Sequence, residues 1–309
     1  MSDHAQKRLD DALSAWGRKS EIVSPIKGGA NSRIFLLRDK SGARMIAKLH
    51  HEVGGSARYS REKYFYGVAR ECVRGLVPND LLWDDERSAA FFDFVEGTAE
   101  FAAEEEDVVR GGEFIRALQA GDRRQLGAAS EAAMQPEEHA QHLERRLVGL
   151  AALADEEADA FVREELVPAW EALRPQIRPS RAVPIISPSD FGFHNALRQE
   201  DGRLCFFDFE HAGLDDPAKL VCDFFVRPES DVRMDWMGTF CDAAGFGDDV
   251  KERALQLMDL YRLKWACIAL NEFTEEGVCR RGFAMADAPE RREAQLTKAR
   301  KLVREVTRQ

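Results

Sequence analysis

Two acidic residues and an asparagine stand at a spacing that suits phosphoryl transfer. Asp190 and Asn195 lie five residues apart in SPSDFGFHN, directly after the apolar run AVPII. In such a loop the aspartate can take the proton of an attacking hydroxyl while the asparagine amide oxygen holds Mg2+. Asp208 follows thirteen residues after Asn195, inside LCFFDFE. A carboxylate among Phe206, Phe207 and Phe209 is expensive to bury unless a metal ion or a donor meets it. Upstream, Lys48 interrupts the apolar segment MIAKL, where an ammonium must either reach water or find a partner. Glu62, fourteen residues on, can supply that partner, although a lysine on an exposed strand face would read the same way. Earlier still, Lys27-Gly28-Gly29-Ala30-Asn31-Ser32 separates two strand-like segments. Glycines let backbone N–H groups approach an anion closely, so this turn can cover phosphates; a plain hairpin turn has the same composition.

These residues need elements to carry them, and the hydrophobic periodicity supplies them. Leu9, Leu13 and Trp16 fall on one helical face, with Ser2 as a cap and Gly17 as a stop. EIVSPIK, SRIFLLR and ARMIAKLH are short, rich in β-formers and separated by GGAN and DKSG. They predict an antiparallel three-stranded meander over residues 21–49. A helix is expected from about Ala57 to Val73, then two strands in LLWDD and SAAFFDF, closing at Gly97. Beyond residue 99 the composition turns to Ala, Glu, Arg and Leu, and helices are expected near 101–119, 137–153 and 156–173, with Pro136, Pro168 and Pro175 as punctuation. AVPII reads as a strand, GRLCFFDFE as part of a hairpin, and the chain after Pro217 as helical. The expected fold class is α+β. A small β-rich lobe over 1–97 holds one inserted helix, a large helical lobe spans 98–309, and a cleft lies between them.

Composition narrows the function classes. The 309 residues carry 44 basic and 55 acidic side chains, a formal charge of −11, which argues against a general nucleic-acid binder. Residues 1–97 hold 16 basic and 14 acidic residues, net +2, so the remainder is net −13. That asymmetry reads either as a solvated surface or as a second lobe that attracts a cationic acceptor. Residues 255–273 form the strongest apolar segment, but Asp259, Arg262, Lys264 and Glu272 interrupt it, so it reads as a core helix and no membrane partner is expected. The N-terminus lacks the apolar stretch of a secretory signal. The six cysteines are widely spaced with no C-x-x-C pair, which points to reduced thiols and a cytoplasmic location.

With these landmarks in order, the sequence resembles the aminoglycoside phosphotransferase and choline kinase family, a branch of the protein-kinase-like fold. Its catalytic loop usually reads H-G-D-x-H-x-x-N, followed by I-D-W/F-E and A-G-x-G-D-P; here the chain reads S-P-S-D-F-G-F-H-N and F-F-D-F-E-H-A-G-L-D-D-P. The resemblance runs from Gly28 to Asp216-Pro217. It implies Asp190 as catalytic base, Asn195 and Asp208 as metal ligands, and Lys48 with Glu62 as the ion pair that positions phosphates. Phe92-Asp93-Phe94-Val95-Glu96-Gly97 resembles the hinge, where backbone groups of Asp93 and Val95 would bind adenine. Gly28, Gly29, Ala30, Asn31 and Ser32 would complete the nucleotide site. Pro188 and Gly192 replace the family's two loop histidines, which mainly brace that loop.

The resemblance thus implies an ATP- and Mg2+-dependent kinase acting on a hydroxyl of a small molecule, whether a sugar, an aminoglycoside or a choline-like acceptor. A nucleotide-binding regulatory protein without turnover is the alternative, against which the intact Asp190, Asn195 and Asp208 weigh. Three further features have bland explanations. His139 and His142, three apart on an expected helix, have metal spacing but read as surface residues. Trp236, Tyr261 and Trp265 could cage a quaternary ammonium but read as core. Glu272, Glu275 and Glu276 could meet a substrate amine, or simply end a helix in solvent.

Overall fold

The computed structural model describes residues 3–26, 32–178, 180–228, 230, 232–275, 277 and 289–306. Gly28, Gly29, Ala30 and Asn31 of the expected phosphate-covering turn lie outside the described residues, as do the Ser2 cap, Glu276 and Cys279.

The expected meander forms from β1 (Ser20–Ile26), β2 (Ser32–Asp39) and β3 (Arg44–His50), joined to β4 (Asp80–Asp84) and β5 (Ala89–Asp93) in one five-stranded sheet ordered β1-β2-β3-β5-β4. All neighbours run antiparallel, and Lys48 sits opposite Ile34 on β2 and Ala90 on β5. Helix α1 (Asp3–Trp16) covers one face, packing Leu9 and Leu13 against Phe35, Leu37 and Phe91. Gly17 follows at φ 70°, the left-handed conformation that stops a helix readily. Helix α2 (Glu52–Cys72), between β3 and β4, sends Phe65 and Tyr66 into a second, larger core that also contains Phe92.

Much of the rest of that core comes from helices. They are α3 (Glu105–Leu118), α4 (Pro136–Gly149), α5 (Glu156–Phe161), α6 (Val167–Leu173), α7 (Pro217–Val226), α8 (Met237–Ala244), α9 (Asp248–Leu270) and α10 (Pro289–Val306). The single helix expected over 156–173 is interrupted by a π turn, Val162–Leu166, in which Val167 N–H reaches back to Val162 O. Pro168 has no N–H to continue the α ladder there. Helix α9 is largely buried, as its interrupted apolar sequence predicted, and no described helix is long and apolar enough to cross a membrane. No disulfide joins the five described cysteines.

Two short antiparallel pairs carry the loops of interest. β6 (Ile185–Ser187) pairs with β9 (Gly213–Asp215), and β7 (Ala196–Arg198) pairs with β8 (Leu204–Phe206). The AVPII strand is shorter than expected, because Pro184 withholds a ladder donor and only its last two residues join β6. A non-helical segment, 94–97, links β5 to the rest of the chain. It is fixed where Thr98 exchanges both backbone hydrogen bonds with Arg198, at 2.9 Å each. Gly97 lies so close to β7 that a Cβ would stand 2.9 Å from Leu197 Cβ and 3.0 Å from Arg198 O.

Candidate active site

Lys48 is buried in β3, and its ammonium is the meeting point of the site. Nζ lies 2.8 and 3.0 Å from the two carboxylate oxygens of Glu62 on α2 and 2.6 Å from Asp208 Oδ1. Glu210 Oε2 is 3.6 Å away. Burial alone would lower the pKa of the ammonium, but Asp208, Glu62 and Glu210 outweigh that and raise it. Glu62 is itself held by Phe209 N–H, which donates to Oε1 at 3.2 Å, and His50 Nε2 lies 3.1 Å from its other oxygen. Despite burial, Lys48 and His50 keep its carboxyl below the ordinary value. The sequence-predicted pair is therefore formed, and it is tied to the strand–turn that carries Asp208.

Asp208 stands two residues beyond the end of β8 rather than in the strand, at φ 65°. That left-handed conformation is uncommon outside glycine, and Asp and Asn adopt it most readily. Burial, with the nearby Glu210 and Glu62 carboxylates, pushes its carboxyl up against the pull of Lys48. Asp208 shares Lys48 with Glu62 and Glu210, and a divalent cation would offset that crowding of carboxylates.

Asn195 is one step away in the same hairpin. It ends a 3-10 turn (Phe193–Asn195), and its carbonyl accepts from Phe207 N–H at 3.0 Å, directly before Asp208. Its side-chain N–H donates to Asp190 O at 3.1 Å, which leaves Oδ1 as the amide atom available to a cation. One carboxylate and one amide oxygen fit Mg2+, which keeps waters and shares nucleotide phosphates instead of demanding a full protein cage. No three His, Cys, Asp or Glu side chains converge as a metal cage among the described residues.

Asp190 lies on the loop between β6 and that 3-10 turn, with its side chain partly open. Arg227, just past α7, forms an ion pair with its carboxylate, and His194 Nε2 lies 3.3 Å from the same oxygen. Although burial works the other way, His194 and Arg227 hold this carboxyl well below the usual carboxylate range. The loop is anchored by Phe191, which packs against Phe114, Phe206, Phe224 and Phe240 with centroids 4.9–6.5 Å apart.

At the hinge, the Asp93 N–H is already donated to Asn79 O, and its carboxylate accepts from Asn79 N–H and Nδ2. Val95 lies in the non-helical link that follows β5, and Ser32 begins β2, buried.

Two expectations are corrected. His139 is a buried residue, 2% exposed, whose ring bonds the Tyr261 hydroxyl at 2.8 Å and Asp216 at 3.3 Å, while half-buried His142 faces Ala132 O at 3.2 Å. Glu272 is buried beside Arg291 at 3.2 Å instead of ending a helix in solvent. Tyr261 and Trp265 are core residues, the latter donating its indole N–H to Asp223 at 2.9 Å.

Sequence reasoning missed Arg227, His50 and Glu210. His50 sits two residues from Lys48 on β3, the spacing that repeats a face in a strand, whereas Glu210 lies two residues past Asp208 in the turn after β8. Arg227 carried a weaker signal, as the last of the charges spaced by four at 215, 219, 223 and 227 in an apolar helix.

The sheet with its inserted helix, the hinge link, the helical body and the clustered Lys48, Glu62 and Asp208 define a two-lobed protein-kinase-like fold. The sequence profile described as "Phosphotransferase enzyme family" matches residues 22–252, and the chain belongs to that family of aminoglycoside phosphotransferases and choline kinases. Among solved structures it is similar to a spectinomycin phosphotransferase in complex with ADP and spectinomycin, at 12% identity over 97% of each chain with a TM-score of 0.66. It is also similar to choline kinase from Streptococcus pneumoniae (15% identity, 98% of this chain and 100% of that one, TM-score 0.60). A third is a macrolide 2'-phosphotransferase from Brachybacterium faecium (14%, 95% and 97%, TM-score 0.61). Comparison with curated protein sequences finds no match.

Proposed function

We propose that the protein is an ATP- and Mg2+-dependent phosphotransferase that phosphorylates a hydroxyl of a small molecule. One observation carries this reading. Lys48 on the sheet donates both to Glu62 of the inserted helix and to Asp208, beside the hairpin position of Asn195.

In this reading residues 1–97 hold the nucleotide. The Asp93 carbonyl and Val95 N–H take adenine, and the turn of Gly28, Gly29, Ala30, Asn31 and Ser32 covers the phosphates. Lys48, oriented by Glu62, binds the α- and β-phosphates. Asn195 Oδ1 and Asp208 would hold Mg2+, which would supply charge neutralisation for the phosphates. Residues 98–309 present the acceptor. Asp190 orients its hydroxyl and takes its proton as the new O–P bond forms and the bridging O–P bond of ATP breaks, releasing ADP. A loose transition state asks the protein mainly for this positioning and charge compensation.

The acceptor class is supported by the small molecules named with the similar structures: spectinomycin, choline and macrolides. The test is ATP binding with and without Mg2+, followed by ATP consumption against a panel of sugars, aminoglycosides, macrolides and choline-like alcohols. Mg2+-dependent ATP binding with consumption stimulated by one member of the panel is expected. ATP binding without consumption by any member would favour a regulatory nucleotide-binding role, and absence of ATP binding would overturn the reading.

A further inference from the structure

Lys219 has had no part in the site so far, yet it is one of the most completely buried cations in the chain, 2% exposed within α7. An ammonium has three N–H donors, and here each meets a partner. Asp215 Oδ2 lies at 2.8 Å, Asp223 Oδ2 at 3.2 Å, and Ser189 Oγ accepts at 3.0 Å. The two carboxylates satisfy the buried charge. The hydroxyl adds nothing to that neutralisation, and it belongs to the residue immediately before Asp190.

Ser189 is held in a conformation it does not favour. Its φ is 64°, left-handed for a residue with a Cβ, and such a backbone persists only where its surroundings hold it. Ser187 Oγ accepts the Ser189 N–H at 3.0 Å, and Lys219 holds the side chain; Ser189 Oγ itself lies 3.5 Å from Ser130 O. Pro188, just before, has neither an N–H nor a polar side chain to contribute. On the other side of Asp190, Phe191 is locked into the aromatic core. Asp190 is therefore the partly open link between two anchors, an apolar one after it and a polar one before it.

The polar anchor comes from the same helix face that reaches the Asp190 carboxylate. Asp215, Lys219, Asp223 and Arg227 follow one another at intervals of four, so they stack along one side of α7 and its ends. Asp223 also accepts from Trp265 Nε1, whose ring lies 4.9 Å from the Arg227 guanidinium, and Arg227 pairs with Asp190. The ladder thus holds both the backbone before Asp190 and its side chain.

We propose that Lys219 is a positioning residue for phosphoryl transfer: by holding Ser189 Oγ it fixes the left-handed turn that presents Asp190 to the acceptor hydroxyl. The role rests on the reading of Asp190 as the base. Lys219→Met is the direct variant, but it strands two buried carboxylates and can fail to fold. Ser189→Ala removes only the hydroxyl and leaves Lys219 its two ion pairs. Ser189→Gly removes the hydroxyl and the backbone strain together.

The assay is Mg2+-dependent phosphate release from ATP, with water standing in for the acceptor, alongside calorimetric ATP affinity and Tm. In both Ser189 variants kcat should fall by about 10–10²-fold, the scale of a small misplacement of a reacting group, while ATP affinity and Tm stay close to wild type. Two folded variants with wild-type kcat would overturn the role of Lys219 alone. A parallel loss of kcat, ATP affinity and Tm would reduce it to general structural support and also overturn it. A wild-type protein without Mg2+-dependent turnover would overturn the functional reading itself and the role with it.

Discussion

The carboxylate of Asp190 is paired with the guanidinium of Arg227, 37 residues further along the chain. The residue proposed to take the acceptor's proton is thereby kept ionised, and in that reading the pair decides how activity responds to acid.

Arg227 and His194 lower the Asp190 pKa against the opposing effect of burial, so the base stays deprotonated as pH falls below the usual carboxylate range. The acid limb of kcat/KM should therefore lie low in the wild type and move to higher pH in Arg227→Gln. The same lowering contributes stability that is present above the unfolded-state pKa and lost as pH falls through the folded-state value. pH–rate profiles of both proteins check this, and coincident acid limbs would contradict it.

Asp190→Asn keeps the size of the side chain but removes its capacity to take a proton. Loss of a general base commonly costs about 10²–10⁴-fold in rate. Single-turnover rates should fall on that scale while ATP affinity, which the proposed function assigns to Lys48 and the hinge, changes little. Equal losses in both would place Asp190 in the nucleotide site.

Phe191 is buried against four phenylalanine rings, so Phe191→Ala should destabilise by about 3–5 kcal/mol through lost burial and the cavity left behind. Urea denaturation measures it. A cost below 1 kcal/mol would mean the aromatic cluster collapses around the gap.

Much of this site was legible before any coordinates, for physical reasons that differ by residue. Lys48 in an apolar strand and Asp208 among phenylalanines announced themselves because each would be costly to bury alone, and each proves to be the other's partner. The meander was legible because GGAN and DKSG are turn chemistry between β-rich runs. The Arg227–Asp190 pair was not, since surface arginines and pairing arginines look alike until the fold brings distant segments together. His139 illustrates the same limit: its partners Tyr261 and Asp216 lie 122 and 77 residues away. The break at Val162–Leu166 was half legible, because Pro168 was recognised as punctuation but its consequence, a π turn, depends on packing.

Gly97 closes the hinge against β7, and an added methyl would meet the Leu197 side chain and Arg198 backbone. Gly97→Ala should cost about 1–3 kcal/mol of stability through overpacking. Because the strain falls between Val95 and Thr98, ATP affinity should weaken along with it. Calorimetry on the variant checks the link, and unchanged affinity would separate the hinge from adenine binding.

The most direct test is the Mg2+ dependence of ATP affinity in the wild type and in Asp208→Asn. Asparagine tolerates the left-handed backbone at φ 65°, so the variant should retain its turn while losing the charge. Calorimetric titration should show wild-type ATP binding strengthened by Mg2+ and that strengthening largely lost in Asp208→Asn, with Tm near the wild-type value. An equal Mg2+ effect in the two proteins, or none in the wild type, would contradict the assignment of this site to metal-assisted phosphoryl transfer.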